Sequence, residues 1–437
     1  MSDLFAKEDA TYRPFPLEDF RGNPLVEAMN EAPETDEDLN DQLVIVPKID
    51  EQELALPARY RKHLPSRLHR IFLPGPEHRG IYNLCFDLIL ESYRHKNPLS
   101  VAGQRHLYSD GLGRACAPSN YFGRIATLIG PSGTGKSTTV GRVLSTLGPQ
   151  VIRHQNYEGK PCFETQLLYH YLNISESLRP EDIYVYAGKL AGELTGNRLI
   201  AKSPGINRSL EDKREYCRRA LTGSHTGILV VDNIEYIFRA RPAVRDEVFS
   251  MILHIRDQFE IPMLLVGTSE AGAYLQADDS VASRFIEGGY RTLERATGPG
   301  DEYWAALVDT AWSFSWVRNP SLLTSTLQGV IYELTQGVMR YLFVLLVQAQ
   351  VVAIETGTET IDEDLLRKVF RDYMRPVHPI VRGLATNDPE VMANYESMYQ
   401  RSTIKLPGTS QSVTEAALKM AIKARKEERR SEERARA

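Results

Sequence analysis

The chain has 437 residues, of which 42% are hydrophobic and 25% charged, with a net charge of -5. That composition allows two or three globular domains with cores of their own and excludes a mini-protein. Four cysteines, Cys85, Cys116, Cys162 and Cys217, lie far apart without a C-x-x-C pair, which argues against a disulfide framework or a zinc site and for a reducing compartment. The opening MSDLFAKEDATYRPF lacks a positive segment followed by an apolar core, so no secretory signal is expected and the expected location is the cytoplasm.

In chain order, residues 1–56 form an acidic segment. Up to residue 53 it carries fifteen acidic and four basic side chains, and its weak periodicity predicts an extended or partly ordered arm rather than a core. Residues 57–120 are expected to hold a helical layer between Arg67 and Tyr93, followed by connecting loops. A core over residues 121–300 is predicted from alternating elements. Its strands are expected at Arg124–Ile129, Gln150–His154, Leu167–Ile174, Ile228–Asp232 and Met263–Thr268. Its helices are expected at Ser137–Leu147, Glu181–Thr195, Leu210–Leu221 and Val244–Phe259. This reads as an α/β fold, a mainly parallel sheet with helices on both faces.

After Gly300 the strand signals stop. Residues 301–400 read as a helical lid and extension, with helices at Tyr303–Val317, Gln328–Leu334, Val338–Glu355 and Asp362–Tyr373. Val338–Ile354 is the most apolar stretch, but Arg340, Gln348 and Gln350 interrupt it and it is shorter than the roughly 20 residues of a membrane span, so a buried helix is expected and no membrane contact. Residues 401–437 form a charged tail, with eight Lys or Arg against four Glu from Lys419 to Arg436. The tail is a solvated face or a docking segment for a partner.

Chemistry concentrates on Gly130-Pro131-Ser132-Gly133-Thr134-Gly135-Lys136-Ser137, followed by Thr138 and set between a strand and a helix. Glycines in such a loop let backbone N–H groups surround phosphate oxygens, Lys136 neutralises the outer phosphates, and the Ser137 hydroxyl ligates Mg2+. ATP and Mg2+ are therefore the expected cofactors. The apolar strand Ile228–Val231 ends in Asp232, which would deliver a second magnesium contact.

A P-loop core followed by a helical lid resembles the layout of AAA+ ATPases. That resemblance implies further roles. A Glu usually follows the metal-binding Asp to activate the attacking water; here Asn233 stands there, and an amide cannot accept a proton, so hydrolysis is expected to be slow unless a neighbour such as Glu235 substitutes. Thr268, with Ser269 behind it, matches the polar strand end called sensor 1. Arg284 in Ser283-Arg284-Phe285, with Arg291 in reserve, matches the finger that enters a neighbour's ATP site and implies a homo-oligomer. Gly337-Val338-Met339-Arg340 is similar to sensor 2, in which Arg340 feels the nucleotide from the lid. Each has a structural alternative: a plain strand end, a surface arginine and a lid salt bridge, in that order.

Several flanking segments are similar to TnsC/TniB-type regulators of DNA transposition. They are Gly22–Ala28, Tyr93–Pro98, Val151–Pro161, Gln166–Leu172 and Phe370–Pro376. The resemblance implies an ATP-dependent protein that oligomerises as a ring or filament on double-stranded DNA. It would link a TniQ-type target-selection protein or CRISPR effector, as in CRISPR-associated transposons, to the transposase. Asn233 departs from the expected Glu. Basic residues between the P-loop and Asp232, among them Lys160, Arg179, Lys189, Arg198 and Lys202, would track DNA phosphates without reading bases, or lie on solvated helix faces. The rival readings are a protein-directed AAA+ regulator, a scaffold that binds nucleotide without hydrolysing it, and, least in keeping with the lid, a small-molecule kinase.

Overall fold

The computed structural model describes residues 7–101, 103–104, 123–174, 179–197, 208–277 and 279–386. Arg198, Lys202 and the charged tail lie outside the described residues. The described chain divides into two compact units. The first takes residues 7–39, 77–129 and 137–292, and the second 40–76, 130–136 and 293–386.

Among its described residues the first unit has ten strands: β1 Lys7–Asp9, β2 Ile125–Ile129, β3 Val151–Arg153, β4 Asn156–Tyr157, β5 Lys160–Pro161, β6 Thr165–Leu167, β7 Tyr169–Asn173, β8 Ile228–Asp232, β9 Met263–Gly267 and β10 Gly289–Thr292. Five of them form a sheet in the order β10-β2-β9-β8-β7, with every pair parallel. Parallel neighbours need crossovers, and helices Lys136–Leu147, Pro180–Thr195, Leu210–Thr222, Pro242–Gln258 and Ser269–Ala277 supply them. All residues of β2, β8 and β9 are buried, which is why these strands read as unbroken apolar runs instead of alternating ones.

A smaller sheet, β1-β3-β6, lies outside the sequence expectation. The single strand expected over Leu167–Ile174 is in fact two strands in different sheets. Leu167 N–H bonds to Ser224 O and Leu168 N–H to Gln150 O, so the chain changes partners there and its apolar run hides the switch. β4 and β5 form a hairpin whose turn residues, Glu158 and Gly159, both have positive φ (48° and 78°), the conformation that matches strand twist in a two-residue loop.

The acidic segment also differs from the extended arm predicted for it. β1 pairs in parallel with β3, while Phe20 and Leu25 are 2% and 0% exposed. Asn23 caps the turn Pro24–Glu27 through Leu25 N–H (3.1 Å) and donates to Tyr93 O (2.7 Å). Glu27 accepts from Gly22 N–H (2.9 Å) and Tyr157 O–H (2.6 Å), and Gln166 Nε2 donates to Leu25 O (2.9 Å). Four of the flanking motifs thus interlock in one largely buried polar network. Averaged composition concealed the few apolar residues that anchor it.

The second unit is helical around Trp304, Trp316 and the helix Met339–Thr356. That helix is long and apolar enough to cross a membrane, but Leu342, Leu345, Leu346, Val352 and Ile354 are buried in the unit's core. Gln350 is satisfied within it, accepting from Trp316 N–H (2.9 Å) and donating to Phe314 O (3.0 Å). The helical layer expected between Arg67 and Tyr93 is split at Pro74-Gly75-Pro76. The 3-10 turn Leu64–Arg70 belongs to this unit and the helix Pro76–Arg94 to the first. Within this unit Arg61 pairs with Glu359, and Glu53 accepts from Arg67 and from Trp316 Nε1 (3.1 Å).

Candidate functional site

The P-loop leaves β2 at Gly130 and enters the helix Lys136–Leu147. Gly133 and Gly135 have φ of 87° and 91°, values that a side chain rarely tolerates and of the kind that lets successive N–H groups converge on an anion. Lys136 is 8% exposed, and its Nζ donates to Gly130 O (2.7 Å) and Pro131 O (2.9 Å). The ammonium is therefore drawn back across its own loop, where a phosphate would find it already placed. Thr134 braces the turn by donating to Pro131 O (2.9 Å).

The predicted sensor 2 segment meets this loop. Gln336 and Gly337 both have positive φ, turning the chain into the helix that begins at Met339. Arg340 N–H donates to Gly133 O (3.1 Å), so the first turn of that helix is tied to the phosphate loop. A Cβ on Gly133 would lie 3.0 Å from Val338 Cγ1 and 3.2 Å from Arg340 Cβ, and one on Gly135 would lie 3.3 Å from Met339 Cε. Gly133→Ala, which combines left-handed strain with that crowding, is expected to weaken ATP binding about tenfold, roughly 1.4 kcal/mol, by calorimetry. Gly300→Ala, in open space, should leave affinity unchanged.

In the first unit the strand ends assemble a second set of residues. Asp232 closes β8 and is 4% exposed; its Oδ1 accepts from Asn233 N–H (2.8 Å) and its Oδ2 from Tyr171 O–H (2.5 Å). The Ser137 hydroxyl lies beside the same phenol, acting on it as a donor, so the two expected magnesium contacts adjoin one oxygen. Burial and the Asp232 carboxylate push the Tyr171 pKa well above that of a free phenol. Tyr171 was missed from the sequence because nothing in a strand pattern marks a tyrosine two residues before the strand's end.

Strand β9 stands between β2 and β8, so its C-terminal end adjoins that of β8. Thr268 follows it, 6% exposed, with an Oγ1 that has no hydrogen-bond partner among the described residues. A buried hydroxyl left without a partner is costly and suits a ligand-facing role. The P-loop, with its two left-handed glycines and Lys136, fits a phosphate chain; in the first unit, the Ser137 hydroxyl and the Asp232 carboxylate beside one phenol fit a magnesium ion.

Asn233 has φ of 63°, a left-handed conformation that Asn tolerates better than most residues. The strand stops at Asp232, and Glu235 opens the short helix Glu235–Arg239, 4% exposed. The shared strand face that would have put Glu235 beside position 233 is not formed. Arg284 lies in the last turn of Asp279–Phe285, exposed, with no ion pair or hydrogen bond among the described residues. Arg291 is exposed on β10.

The expected DNA-facing cations divide. Lys160 and Arg179 are exposed, whereas Lys189 lies 3.7 Å from Glu193. On the helix Leu210–Thr222, Lys213 is buried against Glu181 (2.5 Å), and Arg218 and Arg219 share Glu215. Much of the positive charge in this insertion is therefore neutralised locally.

The sequence matches the protein family described as AAA domain over residues 122–275, which includes the P-loop, Asp232 and Thr268. Among curated proteins no sequence relative matches. Low structural similarity is found to the Aeropyrum pernix ORC1 protein in complex with DNA, at 16% identity over 73% of this chain and 81% of that chain, with a TM-score of 0.42. It is found also to Drosophila ORC bound to DNA (14%, 86% and 83%, 0.41). Domain III of the Thermotoga maritima replication initiation protein DnaA gives 14% identity over 69% of this chain and 94% of that chain, with a TM-score of 0.36. With its five-stranded parallel sheet, phosphate loop and C-terminal helical region, the chain has the AAA+ P-loop fold, and its residues 122–275 match the family described as AAA domain.

Proposed function

We propose that this protein is a nucleotide-gated regulator of DNA transposition. In this reading it binds ATP and Mg2+, assembles as a homo-oligomer on double-stranded DNA, and connects a TniQ-type protein or CRISPR effector to a transposase. The observation that carries the nucleotide switch is the bond from Arg340 N–H to Gly133 O, which ties the start of a lid helix to the phosphate loop. When bound, magnesium–ATP supplies a polarised phosphoanhydride. The chain's part is to hold it: loop N–H groups and Lys136 take the phosphates, Ser137 and Asp232 the cation, and Thr268 a terminal oxygen or water. Arg340 offers a charge from the lid, so nucleotide occupancy biases the lid's position. Arg284, exposed and without an ion pair or hydrogen bond among the described residues, supports assembly, as a cation available to a neighbour's nucleotide.

The DNA half of the reading rests on the motif resemblance and on the exposed Lys160 and Arg179. Its contacts would be to phosphate, hence tolerant of sequence and weakened by salt. The test measures DNA binding and particle size with ATP, a non-hydrolysable analogue, ADP and no nucleotide, with phosphate release read in the same samples. Assembly on DNA that needs ATP or the analogue is the expected result. Nucleotide binding with no DNA association under any condition would leave a protein-directed AAA+ switch.

Asn233 favours one second reading, a scaffold in which ATP is held and scarcely hydrolysed. An amide in a left-handed turn positions water without deprotonating it, and Glu235 does not share its strand face. Phosphate release no faster than the buffer blank, with DNA assembly intact, is the result that reading expects.

A further inference from the structure

Asp232 is a nearly fully buried carboxylate, and the two hydrogen bonds described on it come from uncharged donors, Asn233 N–H to Oδ1 (2.8 Å) and Tyr171 O–H to Oδ2 (2.5 Å). The Ser137 hydroxyl contacts the same phenol, so one tyrosine oxygen stands between the two groups that chelate the cation. The sheet does not require this arrangement. Tyr169, two residues earlier on β7, keeps its hydroxyl buried with no hydrogen-bond partner among the described residues, so the strand accommodates a tyrosine that makes no such bonds. Register places Asn173, not Tyr171, opposite Asp232; the phenol reaches along the strand to the carboxylate.

We propose that Tyr171 sets the magnesium requirement of the nucleotide site, its phenol proton holding Asp232 Oδ2 in place of the cation and giving up that oxygen when the cation binds. The inference rests on the reading that Ser137 and Asp232 are the magnesium contacts. Magnesium takes oxygen ligands at about 2.1 Å in a near-octahedral shell, and the phenol proton lies on Asp232 Oδ2, one of the oxygens it would use. Tyr171 satisfies a buried carboxylate whose other hydrogen bond among the described residues comes from Asn233 N–H, so it stabilises the cation-free arrangement and raises the cation concentration needed to displace it.

The test titrates magnesium against binding of a fluorescent ATP analogue by the full-length protein, comparing wild type with Tyr171→Phe. The isosteric variant keeps the ring and loses the donor, and circular dichroism checks its fold. The expected result is a half-saturating magnesium concentration about tenfold lower in the variant, with affinity in EDTA unchanged. An equal or higher magnesium requirement overturns the proposal and makes Tyr171 a support that positions Asp232. A wild type that binds no nucleotide with or without magnesium removes the underlying reading instead. If Tyr171→Phe does not fold, the tyrosine difference spectrum on adding magnesium to ATP-loaded wild type decides. A spectrum present in wild type and absent in Asp232→Asn supports the exchange, and its absence from wild type overturns it.

Discussion

Lys136→Ala is expected to weaken ATP binding about 100-fold or more, close to 3 kcal/mol, while the protein remains folded. The lysine is 8% exposed and its ammonium bonds to Gly130 O at 2.7 Å and Pro131 O at 2.9 Å, in a loop whose other donors are backbone N–H groups and the hydroxyls of Ser132, Thr134 and Ser137. It is the side chain in that loop carrying a full positive charge, so truncation removes the strongest attraction for the outer phosphates and the brace across the loop. Fold is carried by two cores that do not depend on it, one around β2, β8 and β9 and one around Trp304 and the helix Met339–Thr356. Calorimetric titration with ATP measures the loss and circular dichroism the fold. An affinity within threefold of wild type would show that the loop is not the nucleotide site.

Asn233→Glu is the second large effect, and it is a gain. A carboxylate replacing the amide supplies a general base, a contribution of roughly 100-fold or more in phosphate release when correctly placed. The backbone at 233 is left-handed, and Glu adopts that conformation at a cost of about 1 kcal/mol, so the variant should melt a few degrees lower while turning over faster. Single-turnover phosphate release with saturating ATP and magnesium measures it, and Glu235→Gln is the companion variant. No rate increase in Asn233→Glu together with loss of turnover in Glu235→Gln would assign the base to Glu235 despite its place in the following helix. An increase with Glu235→Gln silent places the missing function at 233.

These expectations start from residues legible in the linear chain. The phosphate loop is a local device: its glycines, lysine and hydroxyl are contiguous, and the strand before it and the helix after it follow from apolar runs and helix periodicity. The strands Ile228–Asp232 and Met263–Gly267 were readable for the same reason, since strands buried on both faces show as continuous apolar runs. The G-x-x-R signal located the lid helix to within one residue of its observed start at Met339.

What the sequence by itself determined, then, is each element whose cause is local: the P-loop, the buried strands, the lid helices, and the chemical identity of Asp232, Asn233 and Arg340. The tertiary structure decided everything that depends on partners distant in the chain. It drew residues 7–39 into a sheet and a polar network, although their composition reads as a solvated arm, because Phe20, Leu25 and Asn23 find partners such as Tyr93 some 70 residues away. It split one apolar run into β6 and β7 by giving each a different sheet. It paired Lys213 with Glu181, 32 positions away, a neutralisation that charge counting cannot foresee. It also placed the Tyr171 phenol on Asp232, 61 positions along the chain, a contact with no periodic or compositional trace, because register between parallel strands is fixed by their packing in the sheet and not by either strand alone.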